Sequence, residues 1–187
     1  IMKLFYAKFL TFFAAAAFLI AGCGYNQKAV LPNNIKTIYV DTVKNAIPVD
    51  ELYAYQPGVE IDISNAIVKR LNQDGNLKVV PREQADAVLE SYLIGYTQAG
   101  LRFTRLERVE EYRLYITLAI RLIDAKTGAV IWEESNLTGD SDYEVESENN
   151  QNPYLGGPPY EYLRENATTR AVVRLARNVV DRIVEDW

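Results

Sequence analysis

The only cysteine of the chain, Cys23, follows Ala21-Gly22 at the end of an apolar run from Phe9 to Ala21 in which Thr11 alone is polar. A lone cysteine forms no disulfide within one molecule, so its thiol is available for other chemistry. Small residues at the two preceding positions fit a signal-peptidase cleft, and the thiol that follows them can accept a lipid. The sequence therefore predicts a signal peptide over residues 1–22 and an acylated Cys23. The alternative is a buried or redox-active thiol behind an ordinary signal peptide.

The length of the apolar run predicts how the chain meets a membrane. Lys3 and Lys8 precede the run, which is shorter than the roughly 20 apolar residues that a helix needs to cross a bilayer core. The stretch Leu19-Ile20-Ala21-Gly22-Cys23 resembles the bacterial lipobox. We therefore expect a protein that is anchored to a membrane by lipid and does not span it, with residues 23–34 as the tether.

Four arginines, Arg102, Arg105, Arg108 and Arg113, lie within residues 101–113, around a predicted turn between two strands. Arginine binds phosphate through two parallel hydrogen bonds, so this cluster is a candidate site for an anionic ligand. Glutamates are interleaved with the arginines, which leaves a second interpretation open. In that interpretation, the cluster is a lattice of surface ion pairs.

Composition excludes several other chemistries. The chain has no histidine and no second cysteine, so it lacks a Ser-His-Asp triad, a Cys-His pair and the usual imidazole or thiolate metal sites. The net charge is −5, and it becomes −7 when the two lysines of residues 1–22 are removed, which disfavours nucleic acid as a partner. We expect no cofactor beyond the covalent lipid on Cys23.

Carboxylates are the remaining groups that could support catalysis or bind a metal ion. Glu110-Glu111 and Glu133-Glu134 are adjacent pairs, and adjacent residues of a strand point to opposite faces, so neither pair is expected to converge. The acidic residues between Asp140 and Glu148 lack the glycine and the Asp/Asn spacing of a calcium loop. The sequence therefore predicts no catalytic residue and no metal site.

Periodic patterns predict the elements of the fold. Alternating apolar residues indicate four strands, and apolar residues three to four apart indicate two helices. This order predicts an α+β fold with a four-stranded mixed β-sheet and two α-helices on one face, forming a single domain over residues 35–187. The first strand is expected to be parallel to its neighbour, and the later three to form a meander. The predicted strands are 36–43, 85–98, 112–124 and 129–143, the helices 59–74 and 162–186, and a long loop spans 144–160.

The third predicted strand has two distinct faces. Leucine and isoleucine alternate from Leu114 to Leu122, whereas Tyr115, Thr117 and Arg121 point the other way. Because the helices are expected to cover the apolar face, the second face stays open. We expect these three residues to belong to a surface that contacts a partner.

Together these features resemble the LptE family of lipopolysaccharide-assembly lipoproteins. The resemblance is carried by "AGCGY" at the lipidation site, by "EEYRLYITLAIRLIDAKTGAVIW" from Glu110 to Trp132, by the order of strands and helices, and by the closing helix. It implies a sheet of four strands against two helices, placed on the periplasmic side of the outer membrane. It also implies that the protein plugs the LptD β-barrel and helps to deliver lipopolysaccharide, with no catalysis.

The resemblance also implies a ligand-binding residue. In this family a basic residue at the tip between the second and third strands, seven positions before the tyrosine of the "EY" pair, is implicated in lipopolysaccharide binding. Here that position is Arg105. The family's second basic residue follows the fourth strand, and the corresponding region, residues 140–152, has no lysine or arginine.

Two other functions remain open from the sequence. The chain could be a different envelope lipoprotein, one that regulates a cell-wall synthase or assembles a secretion channel. A carboxylate-dependent hydrolase is the third hypothesis, and it would need two non-adjacent acids that meet in a cleft.

Overall fold

The computed structural model describes residues 35–49, 55–145 and 160–185. The predicted signal peptide, Cys23 and the tether lie outside these residues, as does most of the loop predicted over 144–160. The described elements are β1 (Thr37–Val40), β2 (Lys44–Asn45), α1 (Val59–Asp74), β3 (Lys78–Val79), β4 (Ala87–Phe103), β5 (Val109–Asp124), β6 (Val130–Glu144) and α2 (Tyr160–Glu185).

The strands form one mixed sheet in the order β3-β1-β4-β5-β6, and β2 also pairs with β4. β1 and β2 run parallel to β4, whereas β4, β5 and β6 form an antiparallel meander. The predicted α+β class and the predicted parallel first strand are confirmed.

The predicted number of four strands is wrong, because the described sheet has six. The two additional strands, β2 and β3, have two residues each, which is too short for an alternating pattern to be visible in the sequence. β2 continues along β4 after a local irregularity. Val40 pairs with Leu89 and Lys44 pairs with Tyr92, so the segment that joins β1 to β2 contains one residue more than the matching segment of β4.

β4 and β5 form a hairpin that is longer than the sequence predicts. Their pairing continues from Ala87 opposite Asp124 to Phe103 opposite Val109. β4 has 17 residues, so it extends over about 50 Å at about 3.3 Å per residue. The turn between β4 and β5 therefore lies at the end of the sheet that is farthest from β1.

Helix α1 begins and ends at glycines in the left-handed region, Gly58 with φ 96° and Gly75 with φ 77°. The Gly75 N–H donates to the carbonyl of Leu71 at 3.0 Å, which satisfies a free acceptor at the helix end. Val59, Ile63, Ile67 and Leu71 are buried, and this spacing makes one face of the helix apolar.

Both helices cover the same face of the sheet and share one core. Leu175, Val179 and Ile183 of α2 are buried, as are the apolar residues of β5 from Leu114 to Leu122. Tyr96 joins β4 to α2 through a buried hydrogen bond of 2.7 Å to the Thr168 hydroxyl. No helix among the described residues covers the opposite face of the meander, which is the open face predicted from the alternation of β5.

Side-chain hydrogen bonds to backbone groups stabilise β1 on one side of the β4–β5 hairpin and β6 on the other. On one side, Asp86 accepts hydrogen bonds from the backbone N–H of Lys36 and of Thr37 and from the Thr37 hydroxyl, at 3.2, 3.1 and 2.8 Å. On the other side, Asn178 of α2 donates to the carbonyl of Thr138 in the edge strand β6 at 2.9 Å. The Asn178 contact satisfies a backbone group that the edge strand β6 leaves unpaired, whereas the Asp86 contacts hold the start of β1, which lies inside the sheet. Neither helix of the described residues is long and apolar enough to cross a membrane.

Candidate functional site

The hairpin tip, defined here as residues 101–108, is built around a turn that starts at Thr104. The Thr104 N–H donates to the carbonyl of Arg108 at 2.7 Å. The Thr104 hydroxyl accepts from the N–H groups of Leu106 and Arg108, both at 3.1 Å. Glu107 closes the turn with φ 60°, the left-handed conformation that such hairpin loops require at this position. The tip is therefore ordered by its own backbone contacts.

Arg102, at the base of the tip, is held by three carboxylates. Its guanidinium lies 3.2 Å from Glu110, 3.6 Å from Glu111 and 3.2 Å from Glu144. The hydrogen bond to Glu144 and the surrounding negative charges raise the pKa of Arg102. The prediction that Glu110 and Glu111 point apart is wrong, because both reach the same arginine at a register shift between Gly100 and Phe103.

Arg113 is also engaged, on the open face of the sheet. Its Nη2 donates to Asp142 at 2.7 Å, and this bond raises the pKa of Arg113 and lowers that of Asp142. Asp140, which lies on β6 together with Asp142, accepts a hydrogen bond from Arg174 of α2 at 2.9 Å. The lattice interpretation therefore describes Arg102 and Arg113.

Arg105 and Arg108 differ from the other two arginines. Both are exposed, and neither side chain forms an ion pair or hydrogen bond within the described part of the chain. Their positive charges are thus available to a ligand. The structure separates the four candidate arginines into two that are neutralised by carboxylates and two that are free at the tip.

The tip also exposes large apolar side chains, which the sequence analysis did not single out. Leu101, Phe103 and Leu106 are 42%, 56% and 74% exposed. Exposed apolar residues that cluster beside cations are typical of surfaces that bind amphiphiles or partners. The signal in the sequence was their interleaving with arginines in "LRFTRLER", residues 101–108.

The three residues predicted to face a partner all lie on the open face. Thr117 is half-buried, and its hydroxyl lies 3.2 Å from that of Thr138. Arg121 stacks over the ring of Tyr92 at 5.5 Å, and Lys44 lies at the same distance from that ring. A shallow cavity of about 330 Å³ adjoins Tyr92 and Arg121. Tyr115 pairs with Asp140 across the β5–β6 ladder.

The second carboxylate pair does not form a site of its own. Glu134 lies 3.6 Å from Arg182 of α2, whereas Glu133 is exposed beside the cavity on the open face. Within the described ranges, no group of three or more acidic, histidine or cysteine side chains is arranged to hold a metal ion.

The structure thus defines a two-layer α+β domain that presents a basic and apolar hairpin tip at one end. The family model described as LptE, Lipopolysaccharide-assembly, matches residues 35–187, and the chain belongs to this family. Among curated proteins, none matches the sequence.

Solved structures with a similar fold are distant in sequence. Protein XCC0632 from Xanthomonas campestris is 12% identical, with a TM-score of 0.50 over 79% of this chain and 84% of that one. An uncharacterized lipoprotein B from Nitrosomonas europaea is 19% identical, with a TM-score of 0.45 over 84% and 89%. A minor lipoprotein from Acinetobacter baumannii is 15% identical, with a TM-score of 0.44 over 80% and 90%. Identities this low concern the fold alone.

Proposed function

We propose that this protein is the lipid-anchored partner of an LptD-like β-barrel in the outer membrane and that its hairpin tip binds lipopolysaccharide during transport to the outer leaflet. Membership of the lipopolysaccharide-assembly family supports a role in lipopolysaccharide transport. The main observation in support of a binding site at the tip is a pair of free cations beside exposed apolar side chains. The cations are Arg105 and Arg108, and the apolar side chains are those of Leu101, Phe103 and Leu106.

The chemistry of the tip suits such a ligand. Lipopolysaccharide carries phosphates next to acyl chains, so it needs cations and apolar surface together. Without residues 1–22 the chain has a net charge of −7, and it repels such an anion unless cations are concentrated at the point of contact. A charge-assisted hydrogen bond contributes roughly 1.5–3 kcal/mol, so two free arginines can outweigh this repulsion locally.

The position of the tip also supports a plug-like role. Ile35 begins the described chain next to β1, which pairs with the start of β4, whereas the tip follows the end of β4. The tether side and the tip are therefore separated by the length of β4, about 50 Å, which exceeds the roughly 30 Å of a bilayer core. A chain acylated at Cys23 on the periplasmic side could thus place its tip deep within a barrel.

We assign the open face of the sheet to contact with the barrel wall. Tyr115, Thr117 and Arg121 lie on this face, and the helices cover the other one. Half-buried polar and aromatic side chains are common at protein interfaces. No catalytic step is part of the proposed function.

The proposal is tested by co-purification from solubilised outer membranes, followed by identification of the bound proteins. We expect a large β-barrel with the wild-type chain, and loss of that barrel with Thr117→Asp, while circular dichroism shows both proteins folded. Recovery of an inner-membrane cell-wall synthase, or of rings of this chain alone, would instead support the other envelope lipoproteins considered above. Equal recovery of the barrel with Thr117→Asp would remove the open face from the interface.

A further inference from the structure

The groove between α1 and α2 is bordered by Arg70, whose side chain is 34% exposed. Arg70 of α1 donates from Nη2 to Asp181 of α2 at 3.0 Å. Its Nε is buried and has no acceptor among the described residues. Because Nε has no surface accessible to solvent, a ligand in the groove meets the exposed part of the guanidinium and not this atom.

The groove carries an excess of positive charge. It encloses about 220 Å³ and is lined by Lys69 and Arg70 of α1 and by Arg177 of α2. Lys69 and Arg177 are exposed, and neither forms an ion pair or side-chain hydrogen bond within the described ranges. Asp181 neutralises Arg70 in part, so two further cations face solvent on a chain that is acidic overall.

The same groove has an apolar side. Ala66 and Ala176 line it, and Val173 at its border is 55% exposed. A small inorganic anion would use only the cations and would leave this apolar surface in water. An anion joined to a hydrocarbon chain uses both, because the chain buries the surface that Val173 exposes.

We propose that the α1–α2 groove binds the phosphate group of an anionic amphiphile. The phosphate accepts hydrogen bonds from the charged groups of Lys69 and Arg177 beside the guanidinium of Arg70, and the hydrocarbon lies against Val173. Phosphate suits this site because its oxygens can accept from an arginine and from neighbouring cations at the same time. The proposal does not depend on the ligand of the hairpin tip, since the two sites share no residue.

Isothermal titration calorimetry on the full chain in a neutral detergent tests this site with three probes: hexyl phosphate, inorganic phosphate and hexanoate. We expect hexyl phosphate to bind at least about tenfold more tightly than inorganic phosphate, the equivalent of about 1.4 kcal/mol. Equal affinity of the two would mean that the groove holds free anions only and would overturn the proposal. Hexanoate binding as tightly as hexyl phosphate would also overturn it, and would point to the carboxylate of an acidic peptide.

Variants locate the binding in the groove. Lys69→Gln with Arg177→Gln removes two exposed cations and should weaken hexyl phosphate binding about tenfold or more, without unfolding the chain. Val173→Ser should weaken the binding of hexyl phosphate but leave that of inorganic phosphate unchanged. The matched control is Lys78→Gln with Lys126→Gln, which removes the same charge from exposed positions outside both the groove and the hairpin tip and should change neither value. Equal losses in the control and in the groove variant would show a general charge effect and contradict the site.

Discussion

Gly139 of β6 lies directly against the backbone of helix α2 at Ala171. A Cβ atom placed on Gly139 would come within 2.5 Å of the Ala171 carbonyl oxygen and 2.6 Å of the Leu175 backbone nitrogen. The helix therefore packs on the edge strand at a distance that only glycine permits.

Gly139→Ala should consequently destabilise the domain. Because the nearest atoms belong to helix backbone, the helix must move, and overpacking of this kind costs about 1–3 kcal/mol. Urea denaturation followed by circular dichroism measures the loss. Gly95→Ala is the control, because its Cβ would meet only the Thr117 side chain at 3.5 Å, and it should unfold at the wild-type urea concentration. Equal stability of the Gly139→Ala and wild-type proteins would show that the helix sits further from β6.

Removal of the buried hydroxyl groups of Tyr96 and Ser91 should have different effects on the free energy of unfolding. The Thr168 hydroxyl donates to the Arg164 carbonyl at 2.9 Å, which leaves its oxygen to accept from Tyr96. Tyr96→Phe loses this bond and should lower the free energy of unfolding by about 1 kcal/mol. The Ser91 hydroxyl is buried with no partner among the described residues, so Ser91→Ala should be neutral or stabilising. Chemical denaturation of both variants tests the contrast, and a larger loss for Ser91→Ala would contradict it.

Asp86 should make the attachment of β1 sensitive to acid. The Thr37 hydroxyl and the Lys36 backbone N–H hold the pKa of the Asp86 carboxyl below its ordinary value of 3.8. A lowered pKa in the folded state stabilises the fold above the unfolded pKa, and this contribution is lost as the pH falls through the folded pKa. Asp86→Asn should therefore be less stable than wild type at pH 7, by about 1 kcal/mol for a partly exposed site, and the difference should shrink below about pH 4.

Thermal denaturation at pH 7 and pH 3 measures this difference for Asp86→Asn. Glu83→Gln, at an exposed carboxylate three residues earlier, serves as the control and should match wild type at both values. A stability difference for Asp86→Asn that is the same at both pH values would show that the carboxylate charge does not contribute.

Local patterns predict much of this fold, because the interactions that set them are local. The spacing of Val59, Ile63, Ile67 and Leu71 predicts helix α1 and its buried face, and Gly75 predicts its end. The alternation along β5 predicts which face is buried. The position of the open face follows from the same pattern, and the structure places Tyr115, Thr117 and Arg121 on it.

Contacts between distant residues could not be predicted in this way. Arg102 pairs with Glu144, which is 42 residues away, and this pairing depends on the β4–β5–β6 register. The close approach of Gly139 to α2 likewise depends on how the helix packs against the sheet. The sequence therefore indicates that the arginine cluster exists, whereas the structure is needed to separate the paired arginines from the free ones.

If Arg105 and Arg108 bind lipopolysaccharide, their replacement must lower the affinity for purified lipopolysaccharide at low ionic strength. Arg105→Glu with Arg108→Glu should weaken binding about tenfold or more and leave the fold and the barrel pairing intact, and added salt should weaken wild-type binding. Lys78→Glu with Lys126→Glu makes the same change in charge at exposed positions at the other end of the sheet, and it should bind like wild type. Unchanged affinity in the folded tip variant, or an equal loss in the lysine variant, would show that Arg105 and Arg108 form no lipopolysaccharide-binding site.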